Sequence, residues 1–159
     1  MPELKELSKK IELIDYEKHI LAKKSLFQLL KTLTVLPNSP IIYHQVIAKL
    51  VMTDIGGNKA NMLYKTLFKW QEERHAELID LSIHNHMIVF AGHNNDLDLA
   101  EEAYLNAKDY IKRNPNETHD VIKTYTMMID ALKNIDNLNR AYEVFLDAKE
   151  SGHVDVFIL

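Results

Sequence analysis

Apolar positions along this chain fall at helical spacing, and the spacing itself repeats. Residues 42–47 read Ile42-Tyr43-His44-Gln45-Val46-Ile47. A shift of 41 positions gives Ile83-His84-Asn85-His86-Met87-Ile88, and a second shift of 41 gives Thr124-Tyr125-Thr126-Met127-Met128-Ile129. A ring stands second in each segment, two apolar residues close it, and Leu50, Ala91 and Leu132 follow at one common offset. A second register trails each of these. Ala60, Leu63, Tyr64 and Leu67 match Ala100, Ala103, Tyr104 and Ala107, then Ala141, Val144, Phe145 and Ala148. Steps of i, i+3, i+4, i+7 trace one buried stripe of an α-helix. The offsets here are 40 and 41, so one residue has slipped in the loop around Gly56-Gly57.

Helix breakers separate the registers: Thr53 to Asn58, Gly92 to Asp96, and Asn134 to Asn137. Asn and Asp compete with helical hydrogen bonding and suit caps and tight turns. Pro37-Asn38-Ser39-Pro40 opens the first unit, and Asn114-Pro115-Asn116 parts the second from the third. The pattern predicts helices near 40–52, 58–78, 80–92, 96–112, 119–133 and 137–151. Residues 1–36 read as a further helical pair, with Asp15 as a cap and Leu21, Leu26, Leu29 and Leu30 apolar. They match the repeat poorly, as expected of a terminal unit with one face lacking a neighbour. The predicted fold is therefore all-α, one helical-repeat domain over 1–159. Its units are 1–36, 37–79, 80–120 and 121–155.

Composition narrows the function more than the fold. The 159 residues are 47% hydrophobic and 26% charged, enough to bury one core and too ordinary for wholesale disorder. Four Gly and four Pro are few for an all-β chain. A formal net charge of −4 gives no overall pull toward phosphate, so nucleic-acid binding needs a locally basic face. With no cysteine, disulfides and thiolate metal sites are excluded. The longest apolar runs, such as Met87–Gly92, fall far short of a bilayer span, and no membrane insertion is expected. The opening Met-Pro-Glu-Leu-Lys-Glu-Leu has early glutamates and no arginine, unlike a signal or transit peptide.

The third unit carries the most specific pattern. It runs Thr124-Tyr125-Thr126-Met127-Met128-Ile129-Asp130-Ala131-Leu132, then Ala141-Tyr142-Glu143-Val144-Phe145, and ends Lys149-Glu150-Ser151-Gly152. This resembles a pentatricopeptide repeat, whose first helix reads Thr-Tyr-Asn-x-Leu-Ile and whose second has Ala-x-x-x-Phe before a Lys/Glu-rich end and Gly. The second unit, with His84-Asn85-x-Met87-Ile88 and Ala100-x-x-x-Tyr104, is a looser match, and the first is looser still. Residues 40–155 are covered. The family's repeat is roughly 35 residues, within the solenoid range, whereas this one is 41. Ala100-x-x-x-Tyr104-x-x-Ala107 with Pro115 beyond is also similar to the tetratricopeptide motif, without that motif's early Trp and Gly.

The resemblance implies a right-handed α-solenoid of about four antiparallel helix pairs. It implies a mitochondrial or other organellar protein, a subunit of a ribonucleoprotein such as a mitochondrial ribosome or an RNA-processing complex. Single-stranded or ribosomal RNA would lie along the groove with one base read per repeat. The reading positions map to His44, Asn85 and Thr126 after the first-helix rings, and to Asp80 and Asp155 just before the next repeat. Lys49, Lys133 and Lys123 could meet phosphate. On the residues alone, His44, Asn85 and Thr126 serve equally well as solvated helix positions, and the chain's excess of acids argues against a phosphate track. The alternative is a tetratricopeptide-like protein–protein scaffold with no RNA contact.

Chemistry is not written into the sequence. Eight histidines invite a metal reading, but His84 and His86 are two apart on a helix and point to nearly opposite sides. His86 and His93 could face one way without an acidic third ligand. Gly56-Gly57 lacks the Lys-Ser/Thr of a phosphate loop, and no Gly-x-Ser-x-Gly elbow occurs. Glu72-Glu73 with His75 reads as a solvated face, and Trp70 as a core or interface anchor. No catalytic residue, metal or cofactor is expected. The apolar run Val154-Asp155-Val156-Phe157-Ile158-Leu159 predicts an end that either folds back near Val144 or is covered by another protein subunit.

Overall fold

The computed structural model describes residues 40–53, 59–115 and 121–152. These form six helices and, among the described residues, no strand: α1 (Pro40–Thr53), α2 (Lys59–Arg74), α3 (Leu81–His93), α4 (Leu97–Arg113), α5 (Val121–Asn134) and α6 (Leu138–Glu150). The expected pair over 1–36 and the terminal run 154–159 lie outside the described residues. Five helices match their predicted spans to within two residues at each end. The exception is α2, predicted to reach 78, which stops at Arg74 because His75 turns left-handed at φ 50°. The Ala76 N–H then closes back on the Gln71 carbonyl at 3.2 Å, the long bond that ends a helix in a Schellman turn. The Gln71 side chain finishes the stop: its Oε1 accepts from the N–H groups of Leu78 and Ile79 at 2.7 and 2.8 Å.

The chain divides into two compact units, with the division after Ile83. In the first, α1 packs on α2 through Tyr43, Val46 and Ile47 on one side and Ala60, Leu63, Tyr64 and Leu67 on the other, all of them buried. Trp70 belongs to this core, tilted against Tyr43 at 6.2 Å between ring centres. Arg74 lies over the indole at 4.7 Å and donates to the Tyr43 hydroxyl at 3.1 Å. The indole thus buries its apolar body while the cation stays at its face, a combination that costs little desolvation.

In the second unit α5 packs against both α4 and α6. The predicted register is reproduced in the burial. Tyr43, His84 and Tyr125 are all buried, as are Val46, Met87 and Met128, then Ile47, Ile88 and Ile129. On the second helices Ala100, Ala103 and Ala107 are buried, as are their counterparts Ala141, Val144 and Ala148. Small residues there let helices approach closely. At Gly92 on α3 the approach is tight, since a Cβ on it would lie 2.8 Å from the Ala131 Cα on α5.

Two turns in this unit are copies of one another. After α3, Asn95 is left-handed at φ 54°, its N–H bonds to the Gly92 carbonyl, and the Asp96 N–H bonds to the Ala91 carbonyl. After α5, Asp136 is left-handed at φ 65°, its N–H bonds to Lys133, and the Asn137 N–H bonds to Leu132. Both are Schellman turns, and in both the closing residue is also the cap of the next helix. The Asp96 carboxylate accepts from the Leu99 N–H, and the Asn137 side chain from the Arg140 N–H.

Candidate interaction surfaces

Among the polar pairs that join equivalent helices of the second unit, three have partners 39 residues apart. Thr124 on α5 donates its hydroxyl to the Asn85 Oδ1 on α3 at 2.8 Å, and this bond is buried. Arg140 on α6 forms a two-pronged bond to Glu101 on α4, at 2.8 and 3.0 Å. Lys108 on α4 donates to Asp147 on α6 at 2.6 Å. Asp147 also accepts from the Tyr104 hydroxyl at 2.6 Å. Burial and this hydrogen bond push the Tyr104 phenol well above its usual range. Burial alone would raise the Asp147 carboxyl, but the hydrogen bonds from Lys108 and Tyr104 outweigh it and hold the group low. The Tyr104 ring meets Tyr125 edge-on at 6.1 Å, and the Tyr125 hydroxyl donates to Ser151, which donates on to the Asp147 carbonyl. The cluster joins α4, α5 and α6 at one point.

His84 sits where the neighbouring repeats carry tyrosine. It is 2% exposed, with its ring edge-on to Tyr110 at 6.1 Å. Burial, reinforced by the Arg113 charge and opposed by Asp109, lowers its pKa to about 3. It is a neutral core ring at ordinary pH.

The positions expected to read a base have different settings. Asn85 is 6% exposed, and its carbonyl oxygen is engaged by Thr124. Asp80 is the cap of α3, accepting from the Ile83 N–H at 3.0 Å. Thr126 is half-buried and returns its hydroxyl to the Ile122 carbonyl of its own helix. His44 is half-buried on α1, and Lys133 is exposed at the end of α5. Lys49 falls within α1 with its side chain outside the described residues, as is the whole of Asp155. His44 and Asp80 belong to the first unit, and Asn85, Thr126 and Lys133 to the second. Glu72, Glu73 and His75 are exposed, with Glu73 paired to Lys69 at 3.9 Å.

Among the described residues no three His, Asp or Glu side chains stand close enough to hold a metal ion. No described helix is long and apolar enough to cross a membrane.

The outward side of the second helices was not anticipated. Leu97 and Leu105 on α4, and Leu138, Tyr142 and Leu146 on α6, are exposed large apolar residues. The sequence signal for them was present: Leu97 and Leu138 are 41 apart, as are Leu105 and Leu146. The buried stripe at i, i+3, i+4, i+7 accounts for its own residues and says nothing of these. The pairs at 39 residues were likewise detectable as complementary polar types two positions short of the repeat. Compared with known proteins, the chain matches no family model, no curated protein and no solved structure.

Proposed function

We propose that this chain is a non-catalytic helical-repeat subunit that holds neighbouring proteins of a multi-subunit complex, its helix pairs stacking as a right-handed solenoid. The observation that carries the reading is the division of labour on the helices. Polar atoms at Asn85 and Asp80, which an RNA reader would need free, are committed to internal bonds. Large apolar side chains at Leu105, Leu138 and Tyr142 instead face outward, at 65, 62 and 58% exposure. Large apolar side chains held at an exterior favour protein contact over contact with a polyanion.

A second reading keeps the RNA-binding subunit of an organellar ribonucleoprotein, supported by the resemblance of the third unit and by the exposed Lys133 on α5. Immunoprecipitation with and without nuclease separates the two. Partners retained after nuclease, at raised salt and with Lys133→Glu, support the scaffold. Partners lost under those conditions support RNA, whose affinity falls steeply with salt.

A further inference from the structure

The two faces of α6 differ in kind. Arg140 and Asp147, seven apart, share one side and meet Glu101, Tyr104 and Lys108 of α4. Leu138, Tyr142 and Lys149 lie at spacings that bring them together on the opposite side. A shift of 41 residues maps Glu101, Tyr104 and Lys108, the α4 residues that receive α6, together with Leu97, onto that opposite side. Leu97 becomes Leu138, Glu101 becomes Tyr142, Tyr104 becomes Phe145 and Lys108 becomes Lys149. On α4 the middle of this face is covered, with Tyr104 2% exposed, while Leu97 at its start is 37% exposed; on α6 the middle is open as well as the start, with Leu138 62% and Tyr142 58% exposed and Phe145 half-buried. Lys149 is exposed, and among the described residues it has no ion-pair partner, whereas Lys108 holds Asp147 at 2.6 Å.

We infer that the Leu138–Tyr142–Phe145–Lys149 face of α6 is a docking site for an amphipathic helix of a partner protein, laid alongside α6 as α6 lies alongside α4. The chemistry of the occupant follows from the covered copy of the face. Where α4 offers Glu101 to an arginine, α6 offers Tyr142, so the incoming residue there is apolar. Seven residues further on, where Asp147 reaches Lys108, the incoming helix carries Asp or Glu for Lys149. An apolar residue followed by an acid at i+7 is thus the recognition pattern. A second copy of this chain does not supply it. Met62, Leu105 and Tyr142 are followed at seven by lysine, and no exposed large apolar residue of the described helices is followed there by an acid.

This inference rests on the scaffold reading and narrows it to one face. It is tested on the full chain with a stapled helical peptide of residues 137–152 carrying Arg140→Leu, which sets leucine and Asp147 seven apart. Fluorescence anisotropy of the labelled peptide should give saturable binding. Lys149→Glu in the protein should weaken it about tenfold, Tyr142→Glu should abolish it, and a peptide with Asp147→Lys should recover affinity for the Lys149→Glu protein. Both substituted side chains are exposed, and circular dichroism checks that the variants keep their helix content. Absence of saturable binding, or binding indifferent to both substitutions, overturns the inference. If nuclease-resistant partners are nevertheless captured, the scaffold reading stands and only this face is wrong. A concentration-dependent dimer that Tyr142→Glu dissolves overturns the inference in favour of a second copy.

Discussion

Replacing Gly92 with alanine sets two helical effects against each other, and the structure decides the sign. The new Cβ would stand 2.8 Å from the Ala131 Cα and 2.9 Å from its Cβ. Carbon atoms in comfortable contact are about 3.5–4.0 Å apart, so α3 and α5 must separate locally by roughly 1 Å. The nearest obstacle is backbone and cannot rotate away. Overpacking of this kind costs about 1–3 kcal/mol. Against it, alanine in place of glycine in a helix returns up to about 1 kcal/mol. The contact wins, and Gly92→Ala should lose about 1–2 kcal/mol in urea unfolding followed by circular dichroism. Ala131→Gly in the same background removes one of the two clashing carbons and leaves the other. The double variant should therefore be more stable than the sum of the single effects by about 0.5–1 kcal/mol. A Gly92→Ala protein as stable as the wild type, or more so, would falsify the close approach of the two helices.

Three further perturbations follow from particular bonds. His84, at about 3 when folded and near 6.5 when unfolded, stabilises the fold fully above pH 6.5 and loses that contribution as the pH falls toward 3. At pH 5 the loss is about 2 kcal/mol; His84→Phe should flatten the decline in unfolding free energy between pH 7.5 and 5, and an unchanged slope refutes the assignment. Asp136→Gly should raise the melting temperature through a gain of about 0.5–1 kcal/mol, because glycine takes the left-handed φ of 65° without strain, while Asp136→Val should lower it. Asn85→Ala strips the buried Thr124 hydroxyl of its acceptor and should cost about 1–3 kcal/mol. Adding Thr124→Val should recover part of that, whereas a base-reading Asn85 would change nucleotide preference and leave stability alone.

Much of the architecture could be read before any coordinates, for a physical reason. A helix that buries one side must repeat apolar residues at its own period, so Tyr43, His84 and Tyr125 announced themselves as equivalent and are equivalently buried. Turns built from Asn, Asp and Gly were legible because those residues favour the left-handed and capping geometries that Asn95, Asp96, Asp136 and Asn137 adopt. The end of α2 was not legible. His75 goes left-handed without Gly, Asn or Pro nearby, and the stop depends on Gln71 reaching seven and eight residues forward. Asn85 was misleading for a related reason: a polar residue beside a helical stripe suggests solvent, and its partner Thr124 lies 39 residues away. Interactions set by neighbouring helices leave no mark in the local period. The outward-facing leucines and Tyr142 could be seen in the repeat, but only as part of a side that the burial argument did not need.

The twin turns at 91–100 and 132–141 make the chain modular at the level of its backbone. Because Asn95 and Asp136 hold the same conformation and Asp96 and Asn137 the same capping role, excision of residues 96–136 splices Asn95 to Asn137. The junction then keeps every bond type of either parent turn, and α3 leads directly into α6. A gene encoding such a chain can shed or gain a 41-residue cassette without inventing a new loop.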